Sequence, residues 1–215
     1  MLYSEIIIIK NLLKNNINGV IHVGAHDGSC IKTYLKIGFK NILLFEPQKN
    51  LYKKIKKKFY FNLFNINIVS KNYALSNYSG KSLFNLNSND QCSSLKELGK
   101  HKIIYKDFIV KKKIVVRVRT LYDFLKKKYK DYNFLNIDAQ GSELDILRGA
   151  KNLIKQFDII YLEVNFDYLY KKSPLVYKID SFLKKYDYKR IYTITPYHPT
   201  WGDAIYIKKE ISFDN

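Results

Sequence analysis

The chain has 215 residues, 47% of them hydrophobic, enough for one substantial core and too little for two. A net charge of +19 suggests nucleic acid, yet only four of the 38 basic residues are arginine (Arg117, Arg119, Arg148, Arg190). Guanidinium groups read phosphates and base edges bidentately, whereas lysine is a solvated point charge, so lysine-rich helix faces explain the charge better than a nucleic-acid groove. Apolar runs such as 6–9 and 42–45 fall far short of the ~20 residues that span a bilayer. Glu5 stands where a secretory leader would carry a base, and Cys30 and Cys92 offer no disulfide framework, so the expected setting is the reducing cytosol.

In chain order, residues 3–15 read as an amphipathic first helix, with Ile6, Ile9, Leu12 and Leu13 at helical spacing. Gly19–Val23 is a short apolar strand that ends in the turn Gly24-Ala25-His26-Asp27-Gly28-Ser29, followed by a helix that Gly38 should stop. A second buried strand, Asn41–Phe45, closes on Glu46-Pro47. A lysine-rich helix over 49–60 and a third strand, Ile66–Val69, come next. From Ser76 to Asp107 the pattern loosens, with an extra strand expected at Ser82–Leu86 and a polar loop at Asn87–Ser94. Residues 114–120 alternate like a strand with one wet face, and Leu121–Lys128 is helical. Strand Phe134–Ile137, helix Ser142–Lys155, strand Ile159–Val164 and helix Leu175–Tyr186 precede two closing strands, Lys189–Thr193 and Ala204–Ile207. Strands alternating with helices predict one α/β domain over 1–215. Its mostly parallel seven-stranded sheet is covered on both faces and carries an antiparallel hairpin at one edge. Residues 1–18 form its N-terminal helical part, and 76–113 a variable insertion on the substrate side.

Three clusters each lie just beyond a predicted strand, at the sheet edge where open α/β folds bind ligands. In 21–29, Gly24 and Gly28 allow a tight turn and close approach of a ligand, and the helix after them aims its N–H groups into the site. They lack the third glycine of the dinucleotide fingerprint, and alone they describe any tight turn. Glu46, about 20 residues on, is placed to accept the ribose hydroxyls of an adenosyl ligand. The third cluster, 136–150, sets Asp138 and Gln140 above the sheet, while Glu143 and Asp145 suit the dipole of the following helix.

These residues resemble the FkbM family of methyltransferases. The matching stretches are I-H-V-G-A-H-D-G-S at 21–29, F-E-P at 45–47, Y-A-L-S at 73–76, N-I-D-A-Q-G-S-E-L-D-I-L-R-G-A at 136–150, L-E-V-N at 162–165 and G-D-A-I-Y-I at 202–207. The resemblance implies a Rossmann-like class I fold, S-adenosylmethionine as donor, and a hydroxyl acceptor on a sugar, glycan or small metabolite. On that basis Gly24, Ala25, His26 and Gly28 would line the methionine and ribose side. Glu46, with Pro47, would take the ribose, Tyr73 and Ala74 would lie near the adenine, and Asp138 and Gln140 would face the reacting groups. His22 departs from relatives that carry an acid before V-G-A, which leaves the donor's amino group without an assigned partner.

Methyl transfer to a hydroxyl needs alignment and a base. Asp138 is the first candidate and His101 the second, with Glu163 and Asn165 orienting the acceptor and Ser93 and Ser94 bordering it. Asp138 and Glu163 could also share a divalent ion. Two rivals stay open. The charge motivates an RNA ribose 2′-O-methyltransferase, although Glu163-Val164-Asn165 has no neighbouring lysine to act as base. A catalytically silent nucleotide-binding domain is the other, and fold alone would not separate it from an enzyme.

Overall fold

The computed structural model describes residues 1, 3–14, 16–59, 65–125 and 129–211, with the backbone alone for residues 3, 101 and 129. Helix α1 (Tyr3–Leu13) leads into β1 (Gly19–Val23), α2 (Ile31–Ile37), β2 (Asn41–Phe45), α3 (Lys49–Lys58) and β3 (Asn67–Lys71). The expected helix ends at 15, 60 and 126–128 lie outside the described residues. Gly38 stops α2 as expected: at φ +115° its N–H reaches back to the carbonyls of Tyr34 and Leu35.

The loosely patterned middle folds as a second, three-stranded sheet. Its strands are β4 (Ala74–Leu75), β5 (Gly80–Asn87) and β6 (Val110–Arg119), with β6 between the other two. Strands β5 and β6 run longer than predicted, because Lys111, Lys112 and Lys113 break the apolar alternation while the backbone pairing continues. A 3₁₀ turn (Asp90–Cys92) and the short α4 (His101–Ile104) fill the connection between them.

After α5 (Leu121–Leu125) come β7 (Phe134–Ile137), α6 (Glu143–Ala150), β8 (Ile159–Asn165), α7 (Val176–Lys184), β9 (Tyr188–His198) and β10 (Trp201–Lys208). The single helix expected over 142–155 breaks at Lys151, where φ is +53° and a 3₁₀ turn takes over. Just before the break, Gly149 packs so tightly that a Cβ there would lie 2.1 Å from the Ser76 carbonyl oxygen.

The main sheet has the order β3-β2-β1-β7-β8-β10-β9. Strands β3, β2, β1, β7 and β8 pair in parallel, and β10 runs antiparallel to both β8 and β9. Strands β1, β7 and β8 are buried along their whole length, as central parallel strands covered by helices on both faces must be. One core packs Ile21, Leu43 and Leu135 with α5, α6 and α7, and the other packs Val20, Ile42 and Phe134 with α1 and α2. Chain direction reverses its winding between β1 and β7, which opens a crevice at the strands' carboxyl ends. No helix among the described residues is long and apolar enough to cross a membrane.

Candidate active site

The turn after β1 is fastened to the end of β2. Both Gly24 and Ala25 donate N–H bonds to the Phe45 carbonyl at 3.0 Å. Gly24 sits at φ +87°, and a Cβ there would come 1.8 Å from the Asp138 carbonyl oxygen, so the glycine lets β1 and β7 close at their tips. His26 follows in the left-handed region at φ +50°, which swings its N–H toward Glu46. Glu46 is buried, and its carboxylate accepts from His26 N at 2.9 Å and from Gln48 N at 2.8 Å. Burial pushes the Glu46 carboxyl up to about 7 against the pull of these two bonds, with Asp90 and Asp138 adding repulsion. Asn72 fixes the segment from below by donating to the carbonyls of Glu46 and Pro47.

One side chain, Gln140, organises the centre. Gln140 Nε2 donates to Asp138 Oδ1 at 2.6 Å and to Glu163 Oε2 at 2.9 Å, while its Oε1 accepts from the Tyr170 hydroxyl. Gln140 holds φ +54°, and Gly141 behind it holds φ +95° against the Tyr170 ring. Desolvation by the surrounding protein raises the Asp138 carboxyl above its usual range, an effect moderated by Gln140, the Met1 amino group and His26. Glu163 is pushed well above the carboxylate range by burial, then by Asp138, Glu143 and Asp203.

Below this carboxyl row lies a second polar row. His22, Asn136 and Tyr161 stand opposite one another on β1, β7 and β8. Asn136 Nδ2 donates to the Tyr34 hydroxyl at 2.6 Å, and His22 Nδ1 lies 3.0 Å from that hydroxyl and 3.1 Å from Cys30 Sγ. Burial, followed by the Met1 amino charge, lowers His22 to about 3, so it is a neutral packed ring rather than a base at ordinary pH.

These rows border a cavity of about 700 Å³, the size of a small-molecule site. Gly24, Ala25, His26, Glu46 and Pro47 line one end, and Tyr73, Ala74, Asp138, Gln140, Glu163 and Ser93 also reach its wall. Gly28 does not: it packs against Ile55 and Ile31, and its φ of +77° serves the turn. Ser94 is fully buried, its hydroxyl donating to the Gln140 carbonyl at 2.7 Å and accepting from Lys96 N, so it latches the 89–96 loop over the centre. Asn165 is buried on the same face of β8 as Tyr161 and Glu163. His101 begins α4, and its side chain lies outside the described residues. The divalent ion suggested for Asp138 and Glu163 gains no support. The Gln140 amide already bridges them, and no group of three His, Cys, Asp or Glu among the described residues could hold a metal.

Sequence reasoning gave no site role to Tyr161, Tyr170, Trp201 or Asp203, all on the cavity wall with Asp90. Asp90 Oδ1 sits 3.0 Å from His26 Nε2 without hydrogen-bond alignment. Asp203 carries no local signal, since its place beside Glu163 is set by strand register. Five buried polar atoms of wall residues, His22 Nε2, His26 Nε2, Asn136 Oδ1, Ser142 Oγ and Trp201 Nε1, have no hydrogen-bond partner among the described residues. A wall completed by a polar ligand leaves such atoms, and the site thus fits an adenosyl-methionine donor.

The methyltransferase FkbM domain model matches residues 22–190, well over half of the sequence. The chain belongs to the FkbM methyltransferase family. An FkbM methyltransferase from Methylobacillus flagellatus is 15% identical with a TM-score of 0.59, over 88% of this chain and 43% of its own length, so this chain spans less than half of that protein. The magnesium protoporphyrin IX methyltransferase of Synechocystis with bound SAM is 9% identical with a TM-score of 0.50, covering 96% of this chain and 79% of that one. M. capricolum TrmK in complex with S-adenosyl-homocysteine is 14% identical with a TM-score of 0.55, covering 97% and 69%. At these identities the likeness is one of fold. A comparison with curated proteins found no match. The chain's fold is that of class I, S-adenosylmethionine-dependent methyltransferases. Its FkbM-like 136–150 block divides its labour: Glu143 Oε1 accepts from Ala139 N and Gly141 N, shaping the turn from inside, while Asp138 and Gln140 face the cavity.

Proposed function

We propose that the chain methylates a hydroxyl group on a sugar, glycan or small metabolite, with Asp138 as the base. The observation that carries this reading is the Asp138–Gln140–Glu163 bridge across the ends of β7 and β8, beside the turn that fits the donor. When bound, S-adenosylmethionine supplies a methyl group activated by a sulfonium. The chain's part is to align the hydroxyl and take its proton. Gln140 occupies Asp138 Oδ1 and leaves Oδ2 for that proton, while the raised carboxyl range strengthens the base. Glu46, with one lone pair on each oxygen engaged by a backbone N–H, keeps the others for ribose hydroxyls. Tyr73 and Ala74 flank the adenine, and 76–113 covers the acceptor side through Ser93, Tyr105 and Phe108.

The RNA reading is less favoured, because none of the described residues lining the cavity is lysine or arginine. A phosphodiester entering it would meet carboxylates. The free thiols of Cys30 and Cys92 agree with the cytosolic setting we assign. Screening purified protein with labelled donor against sugars, glycolipid precursors, hydroxylated metabolites and capped RNA tests this reading. O-methyl product on a neutral or basic hydroxylated acceptor supports it. Product on RNA, with affinity falling steeply as salt rises, replaces it.

A further inference from the structure

None of the described residues on the cavity wall is lysine or arginine, while five carboxyl residues, Glu46, Asp90, Asp138, Glu163 and Asp203, lie on it. Glu46 and Asp90 belong to the turn side. The others gather toward β8 and β10, where the antiparallel register sets Glu163 opposite Asp203 and Asn165 opposite Trp201. Residues two apart on a strand share a face, so these four side chains form a square two strands wide.

The square lacks internal compensation. Glu163 is 5% exposed, and the hydrogen bond it receives from a described residue comes from Gln140. Among the described residues, the fully buried Asn165 has no partner for either amide atom and the covered Trp201 Nε1 has none. The Met1 amino group and the Tyr161 hydroxyl bear on Asp203, while Glu163 is surrounded by Asp138, Glu143 and Asp203. Buried carboxylates need a cationic partner or must stay protonated. The Trp201 ring, stacked on Tyr197 with centroids 5.6 Å apart, adds an aromatic face of the kind that attracts ammonium groups.

We propose that Glu163, Asp203 and Trp201, backed by the buried Asn165, form an ammonium-binding subsite, so that the acceptor is a hydroxylated small molecule bearing a primary amine, of the amino-sugar class. The inference rests on the hydroxyl-directed reading above and names its substrate. Glu163 and Asp203 accept from the ammonium, and the Trp201 ring lies against it. With the amine held there, a hydroxyl on the same ring is presented to Asp138 one strand away.

The test is calorimetry on protein saturated with S-adenosylhomocysteine, titrated with glucosamine, glucose, N-acetylglucosamine and glucosamine 6-phosphate. Glucosamine should bind at least tenfold more tightly than glucose or N-acetylglucosamine, and the phosphate should weaken it. Glu163→Gln should abolish that preference, and Asp203→Asn, the second variant, should reduce it; thermal melts confirm that each is folded. Equal binding of the neutral sugars, no binding of any probe, or a preference that survives in both folded variants overturns the subsite. Failure of S-adenosylhomocysteine itself to bind the wild type would instead refute the donor reading beneath it.

Discussion

The two ends of the cavity are built by different means. The turn side is made from short contiguous stretches: Gly24–His26, Glu46–Gln48 and Asp138–Gln140 each sit where a strand stops, tied to one another by backbone N–H groups. The acceptor side is made by cross-strand register, with Glu163 and Asn165 meeting Asp203 and Trp201 across some 40 residues of sequence. The first kind of site depends on local geometry and tolerates little change in its turns. The second depends on one hairpin returning to pair with β8, so its side chains can vary while the backbone persists.

The sharpest way to break this comparison is at Asp138, which belongs to both ends. Asp138→Asn keeps the shape and the Gln140 contact but removes basicity, so turnover should fall by ~10²–10⁴-fold with donor affinity nearly unchanged. Steady-state rates and S-adenosylhomocysteine titration on one preparation check it. Near-normal turnover would remove Asp138 from the chemistry.

Glu143 sharpens the turn-side half. Glu143→Ala leaves the N–H groups of Ala139 and Gly141 buried and unpaired, and the loss of stability should be about 2 kcal/mol or more. Glu143→Gln keeps an acceptor oxygen and should fold at least as well as the wild type, measured by denaturant melts. Acid dependence should follow. Burial first, then neighbouring acids, holds Glu46, Glu143 and Asp203 near 7, above their ordinary range. Between that range and 7 the folded chain binds more protons than the unfolded one, so this stabilisation is complete below the usual carboxylate range and lost as pH rises through 7. The melting temperature of the ligand-free protein should therefore decline from about pH 5 to 8. A rise over that interval would mean that these groups ionise freely.

Tyr170→Phe is the mildest probe. It removes the hydroxyl that holds Gln140 Oε1, one neutral bond of about 0.5–1.5 kcal/mol, so turnover should fall by less than about tenfold while the melt barely moves. A loss as large as that of Asp138→Asn would give the hydroxyl a direct part in the reaction.

This contrast also explains what could be read from the sequence. The alternation of strands and helices, the stop at Gly38 and the closing hairpin followed from patterns within a dozen residues. So did Gly24, Glu46 and Asp138, each the first polar or glycine residue after an apolar strand, with Gln140 two residues further on. Gly28 had the right local context, yet its side of the turn faces α3. Ser94 looked like an acceptor contact because serine-rich loops border sites, but its hydroxyl is spent on the Gln140 carbonyl. Asp203 and Trp201 acquire meaning only through their register with β8, which no local pattern encodes.

The claim that the donor belongs to the turn side alone is tested most directly by calorimetric titration of S-adenosylhomocysteine into wild type, Glu46→Ala and Asp203→Asn, each shown to be folded. Loss of the Glu46 carboxylate removes charge-assisted bonds of about 1.5–3 kcal/mol each, so affinity should drop tenfold or more, while Asp203→Asn should bind as the wild type does. Unchanged affinity in Glu46→Ala, or equal losses in both variants, would contradict the division.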